Sequence, residues 1–363
     1  MTARVLSDRE LGRATLARQL LLRRSDLTAV DAVRHLVGLQ AQAANAPYLG
    51  LWSRLEPFAI DTLSALLAER RVVRAGSLRG TQHLTTADDY LWLRPLTHAA
   101  SLRQRRSGFG RRTAGVDLEE LAEVAGDLLA GRTLTRPELR GLLAERFPGR
   151  DAEALAWSTQ CLLWIVHPPP TGLWRTGGAT RFALAEEWIG RPVTANPDPA
   201  TLVRRYLAAY GPATVRDVQT FSGLTRLRDV MERMPLRTFR DERGALLYDV
   251  PDAPLPGQDV PAPVRLLPEF DNLVLAHADR RRLMSDADRE RICVGSLVCP
   301  TVLVDGRVAG TWRLRRDGPS ARVVIHPHRP LGETEREAVA AEADRLLAFA
   351  APEERGHEVV FGS

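Results

Sequence analysis

The sequence predicts an α+β fold: three helical clusters, each closed by a short β-hairpin, then a small C-terminal β-domain with a terminal helix. Two observations carry this. Helix start signals, apolar stripes at helical spacing and a pair of β-like runs recur in that order three times before residue 250. Beyond a proline-rich stretch the pattern turns strand-rich, and it ends on one amphipathic helix.

Residues 1–95 form the first expected unit. Ser7 and Glu10 have capping-box spacing, with Leu11, Leu16, Leu20 and Leu21 behind them. Thr28 and Asp31 open a second helix carrying Val30, Val33, Leu36 and Val37, and Asp61 starts a third. Arg71–Arg74 and Gln82–Thr85 read as two strands around Gly76 and Gly80. Residues 96–116 read as a basic loop. The second unit, 117–195, has a helix from Leu118 to Leu129 and another begun by Thr135 and Glu138. An apolar segment from Leu155 to Val166 follows, then a hairpin pairing Leu173–Thr176 with Arg181–Leu184 across Gly177-Gly178.

The third unit, 196–250, is the clearest. A helix from Leu202 to Tyr210 stops at Gly211-Pro212, and Thr214 and Asp217 cap a short helix. Ser222-Gly223 turns the chain, Thr225 starts another helix, and a hairpin closes the unit. Helix, helix, turn, helix and hairpin is the winged-helix plan. One such pattern is weak evidence; three in series are hard to obtain by chance. Residues 251–263 form a proline-rich linker. Residues 264–363 form the β-rich domain, with strands expected at Val264–Leu267, Leu273–Ala276, Cys293–Val298, Thr301–Val304, Arg307–Arg313 and Ala321–Ile325. Its final helix runs from Thr334 to Phe349.

Composition bounds the function. The 363 residues are 44% hydrophobic, enough for two or three domains, and the net charge of +5 suits a polyanionic partner. No lysine occurs, so all 50 basic residues are arginine, as a GC-rich genome would produce. Side-chain amines are therefore excluded from Schiff-base chemistry and from a P-loop. Cys161, Cys293 and Cys299 show neither zinc-ligand nor disulfide spacing, so no metal or cofactor is expected. The N-terminus lacks the apolar core of a signal peptide, and no run of about eighteen apolar residues exists. A cytoplasmic, monomeric protein is the expectation.

Three segments could carry chemistry. In Leu39-Gln40-Ala41-Gln42-Ala43-Ala44-Asn45-Ala46-Pro47-Tyr48, Gln40 continues an apolar stripe and needs buried partners. Gln40 and Gln42 point the same way if the helix ends near Gln40 and the chain extends. Composition alone favours two surface or capping glutamines. In Arg79-Gly80-Thr81-Gln82-His83, His83 fits a core histidine with satisfied nitrogens. The third segment holds Arg103, Arg105, Arg106, Arg111 and Arg112 around Phe109. It is either a solvated loop or a phosphate-contacting arm whose aromatic ring stacks on a base. Arg237, Arg240 and Arg243 mark a wing able to touch DNA backbone or minor groove.

These residues resemble the AlkZ-like alkylpurine DNA glycosylases. The resemblance rests on Gln40-Ala41-Gln42 with Ala46-Pro47-Tyr48, Arg79-Gly80-Thr81-Gln82-His83-Leu84 and Gly211-Pro212-Ala213-Thr214 with Asp217. Leu267-Pro268-Glu269-Phe270-Asp271 and Val304-Asp305-Gly306-Arg307-Val308-Ala309-Gly310-Thr311-Trp312 extend it along most of the chain. It implies three winged-helix units and a C-terminal β-domain. It also implies that Gln40 and Gln42 form a catalytic Gln-x-Gln motif acting on double-stranded DNA with alkylated purines; Asn45 and His83 are further candidates for active-site support. Arg79 and the other arginines named above are the expected DNA contacts. A branch of the family carries aspartate at the second position; Gln42 points to the branch linked to self-resistance against DNA-alkylating natural products. A non-catalytic winged-helix regulator is the main alternative, and a protein that sequesters a toxic compound is a third.

Overall fold

Helix Ala29–His35 begins where the Thr28 hydroxyl accepts the Asp31 amide, and it leads through Gly38 into strand Leu39–Gln40. Helices Ala46–Trp52 and Ile60–Ala68 follow, then strands Val72–Gly76 and Gln82–Thr86. Leu39–Gln40 pairs with the second hairpin strand. The order is thus helix, strand, helix, helix, hairpin. The computed structural model describes residues 4–362.

That order recurs. Helix Leu118–Leu129, strand Leu134–Thr135, helices Arg136–Arg146 and Ala152–Leu162, and strands Ile165–Val166 and Arg181–Leu184 make the second cluster. Leu134–Thr135 pairs with Arg181–Leu184, and Ala75 opposite Val166 joins the first two clusters into one six-stranded sheet. In the third, helix Pro199–Tyr210 precedes a bridge between Ala213 and Tyr248, helices Val215–Ser222 and Arg228–Glu232, and hairpin Arg237–Asp241 with Leu246–Asp249. Each cluster has its own apolar core, around Leu51 and Leu63, around Leu121 and Leu155, and around Tyr206, Tyr210 and Phe221.

Several expected elements differ. Helix Asp8–Arg18 belongs with the third cluster, not the first. Its Arg18 donates to Asp249 and to the Leu207 carbonyl from full burial. Strand Val5–Leu6 accordingly extends the third hairpin in parallel. The second hairpin uses Ile165–Val166, not Leu173–Thr176. Buried Ile165 and Val166 fill the sheet, whereas Trp174 docks between Tyr48 and Phe349 with ring centroids 5.4 Å and 6.1 Å away. The expected basic loop is helix His98–Phe109, which packs along Ala152–Leu162 and stacks Phe109 on Trp157 at 6.2 Å.

Residues 251–263 contain no regular element. Beyond them, a five-stranded sheet runs in the order Arg265–Leu267, Thr301–Val304, Arg307–Asp317, Ser320–Pro327 and Gly356–Phe361. Helix Glu333–Ala350 covers it with Val339, Ala343, Leu346 and Leu347, all fully buried. Each such leucine contributes about 1.5–3 kcal/mol of burial. The final strand was not expected. The expected strand at Leu273–Ala276 is helix Asn272–Leu275, because the Asp271 carboxylate accepts the Leu273 amide and starts a turn. Cys293–Val298 folds as two strands, Cys293–Val294 and Leu297–Val298. Among the described residues no helix is long and apolar enough to cross a membrane.

Candidate active site

The Gln-Ala-Gln segment is held from both sides. Gln40 lies opposite His83 in the sheet, the Ala41 amide donates to the Gln82 carbonyl at 2.8 Å, and Arg74 Nε donates to the Ala41 carbonyl at 3.0 Å. Gly38 makes this entry possible. Its φ of +91° is a left-handed value, and a Cβ there would sit 2.9 Å from the Leu84 carbonyl oxygen.

Gln40 is buried, and its Oε1 accepts from Arg79 Nη2 at 2.7 Å. Arg79 sits at the tip of the first hairpin with φ of +55° and turns inward. It also donates to Asn272 Oδ1 at 3.1 Å, to the Phe221 carbonyl at 3.0 Å and to His83 Nε2 at 3.4 Å. Asn272 Nδ2 in turn donates to the Gly38 carbonyl at 3.1 Å. The site therefore draws on the first cluster, the third cluster and the C-terminal region. His83 donates from Nδ1 to the Thr81 carbonyl at 3.0 Å. Burial, helped by the Arg79 charge, pulls its pKa down to about 3, so it is a neutral acceptor.

Gln42, two residues on, is exposed, and its side chain makes no hydrogen bond among the described residues. It lines a cleft of about 330 Å³ shared with Arg74, Gln82, Gln104, Phe109, Trp157 and His167, among others. Gln82 Nε2 donates to Gln160 Oε1 at 3.0 Å along its wall. Burial draws the Arg74 pKa down to about 10, leaving it cationic at neutral pH. Nothing in the segment can serve as a strong base. It can orient a small molecule through carboxamides beside two cations.

Residues 33–349 match the family described as DNA glycosylase AlkZ-like. The chain belongs to that family. An interstrand DNA cross-link repair glycosylase from Streptomyces sahachiroi is 27% identical over 342 residues, covering 82% of this chain and 85% of the relative. The solved structure of the DNA glycosylase AlkZ from the same organism superposes with a TM-score of 0.78 at 21% identity. It covers 98% of this chain and all of that one. At that identity the likeness establishes the fold.

Within this member of the AlkZ-like family, the expected site residues are not all brought together. Gln40, His83 and Arg79 are brought together; Gln42 lines the neighbouring cleft, along with Gly80, Thr81 and Gln82 of the same hairpin. Arg79 and Arg105, expected as DNA contacts, both have donors engaged within the protein. Arg79 is turned into the protein, and Arg105 is buried with Nη1 on the Thr113 hydroxyl at 3.0 Å. Arg112 pairs with Asp151, Arg237 with buried Asp249, and Arg243 with Asp8, so their charges are already matched. Arg103 donates to the Gly223 carbonyl and Arg240 to that of Gly244. Arg106 and Arg111 are exposed and make no ion pair among the described residues. Asn45 stands off the cluster, its Oδ1 accepting the Arg175 amide at 2.8 Å. Sequence reasoning missed Arg74, Asn272 and Gln160, and it gave Gln82 no role within the segment it singled out. Asn272 follows directly on the Leu267–Asp271 motif, which was the available signal.

Proposed function

We propose that this protein is a monofunctional DNA glycosylase that hydrolyses the N-glycosidic bond of purines alkylated at N7 or N3. One observation carries the reading: Gln42 offers a free carboxamide to a cleft immediately beyond the Gln40 cluster. An N7- or N3-alkylated purine is already cationic. It leaves as a neutral base when the electron pair of the C1′–N bond goes to it, so no general acid or metal is required. A water oxygen then bonds to C1′ and its surplus proton passes to solvent. A carboxamide oxygen can hold that water in place, and positioning supplies the rate.

The three helix–strand–helix–helix–hairpin clusters are proposed as winged-helix units at about 1–95, 117–195 and 196–250. They would grip duplex DNA as a monomeric clamp. Arg106 and Arg111 are the proposed phosphate contacts, and cleft-lining Arg74 approaches the phosphate beside the lesion. The name of the Streptomyces sahachiroi relative supports extending the substrates to bulky adducts and cross-links, and self-resistance to an alkylating natural product is the proposed setting. The absence of lysine predicts an intact abasic product, with no borohydride-trapped adduct.

The deciding experiment measures base release from duplexes containing N7-methylguanine or a bulky N7-guanine adduct, with wild type and Gln42→Ala compared. Release that falls at least a hundredfold in the variant is expected. Equal rates would remove Gln42 from the chemistry, and no release from either duplex would overturn the enzymatic reading.

A further inference from the structure

The two glutamines differ in how their amides are held. A guanidinium carries donors and no acceptor, so the Gln40 atom that meets Arg79 at 2.7 Å is its carboxamide oxygen. That bond takes one of the oxygen's two lone pairs and fixes which way the amide faces, so the Nε2 hydrogens point away from the guanidinium. Nε2 has no partner among the described residues and is not among the sealed, unpartnered buried atoms, so it reaches solvent. Gln42 is unconstrained at both ends.

We propose that Arg79 is a positioning residue that locks Gln40 as a hydrogen-bond donor toward an acceptor atom of the substrate nucleotide, leaving Gln42 alone to hold water through its oxygen. This rests on the glycosylase reading above. Arg79 is well placed for the task because its own orientation is over-determined. Its guanidinium is held by the Phe221 carbonyl, Asn272, His83 and Gln40, and its Cζ lies over the Phe221 ring, 5.6 Å from the centroid. Every one of these acceptors is neutral, and Arg79 forms no ion pair among the described residues. Its charge is therefore unspent on a carboxylate, and it polarises the Gln40 amide, strengthening the N–H groups as donors. The left-handed φ of Arg79 adds about 1 kcal/mol or more of local strain, which the surrounding bonds hold in place.

Gln40→Glu tests this directly. The variant keeps an oxygen for Arg79 but has no N–H to offer. Under the proposal its kcat for N7-guanine adduct release falls at least tenfold, as in Gln40→Ala, with the melting temperature held. If Gln40 served as a water acceptor, the carboxylate would match or exceed wild type, and that result overturns the proposal. A second arm uses non-additivity. Arg79→Ala lowers kcat at least tenfold in wild type, with little change in KM, yet less than twofold in a Gln40→Ala background. Arg79→Lys, which keeps the positive charge but places its donors on a single nitrogen, recovers part of the loss. Independent, multiplying losses overturn the proposal while the Gln42→Ala defect leaves the glycosylase reading standing. Wild-type kcat in Gln40→Ala overturns the proposal as well. Should Arg79→Ala not fold, Gln40→Glu decides alone.

Discussion

Asp271→Ala is the perturbation that links stability to the site. The carboxylate is almost fully buried, as is its partner Arg54. Arg54 Nη1 and Nη2 each donate to it at 2.8 Å, and the same carboxylate accepts the Leu273 amide at 2.9 Å. Charge centres about 4 Å apart in an effective dielectric of about 20 attract by about 4 kcal/mol. Removing one member of a buried pair costs about 3–5 kcal/mol because the other is left uncompensated. Arg54 keeps only the Gly50 carbonyl and Gln19. At about 2–4 °C per kcal/mol, the variant should melt roughly 10 °C below wild type. The lost cap also loosens helix Asn272–Leu275, so Asn272 releases Arg79 and excision falls by more than the loss of folded protein explains. Urea unfolding and single-turnover excision well below the melting temperature measure both. A stability loss under about 1 kcal/mol would refute the argument, because the pair would then be effectively solvated.

Other predictions follow from the same geometry. Gly38→Ala should lose both stability and activity, since its Cβ meets the Leu84 carbonyl oxygen and the residue must hold a left-handed φ; an unaltered melting curve would show that the chain adjusts freely. Arg106→Ala and Arg111→Ala should each lower the slope of log affinity for DNA against log salt by about 1, whereas Arg105→Ala should cost stability and leave that slope alone; the reverse pattern would put the DNA on another face. His83 and His167 are both held near pKa 3 by burial, against about 6.5 in the unfolded chain. The unfolded state therefore takes up protons between those values and the folded state does not. Stability rises with pH across that window and is lost as pH falls below about 6.5, approaching about 1.4 kcal/mol per pH unit for each histidine. Urea midpoints at pH 7 and 5.5 check this, and a midpoint that does not fall at pH 5.5 would contradict it.

What the sequence made legible was local. The Ser7, Thr28, Thr135 and Thr214 caps are all present, because a cap needs only residues three apart. The Asp305-Gly306 turn forms with both residues at positive φ, joining Thr301–Val304 to Arg307–Asp317. Errors arose where a long-range contact outweighed the local pattern. Residues 96–116 read as a basic loop, yet His98–Phe109 is helical because the segment packs along Ala152–Leu162. Leu173 and Trp174 alternate like a strand, but Trp174 finds aromatic partners at Tyr48 and Phe349, and Ile165–Val166 takes the sheet position.

The same distinction governs the site. Gln40 and Gln42 stood out because a polar amide on an apolar stripe demands a partner, and the partner that answers it, Arg79, lies 39 residues away. Asn272 is 193 residues from Arg79 and 234 from Gly38, distances that leave no periodic trace. The charge count misled for a related reason. Fifty arginines suggest a basic DNA-binding face, but many are spent inside the protein on carbonyls and carboxylates, as Arg18, Arg54 and Arg94 illustrate. Arginine serves there because its planar fork satisfies several acceptors at once, a geometry that lysine cannot copy. In this chain, partnering matters more than charge: the exposed, unpaired Arg106 and Arg111 are candidates for DNA, and inward-turned Arg79 is a candidate for chemistry.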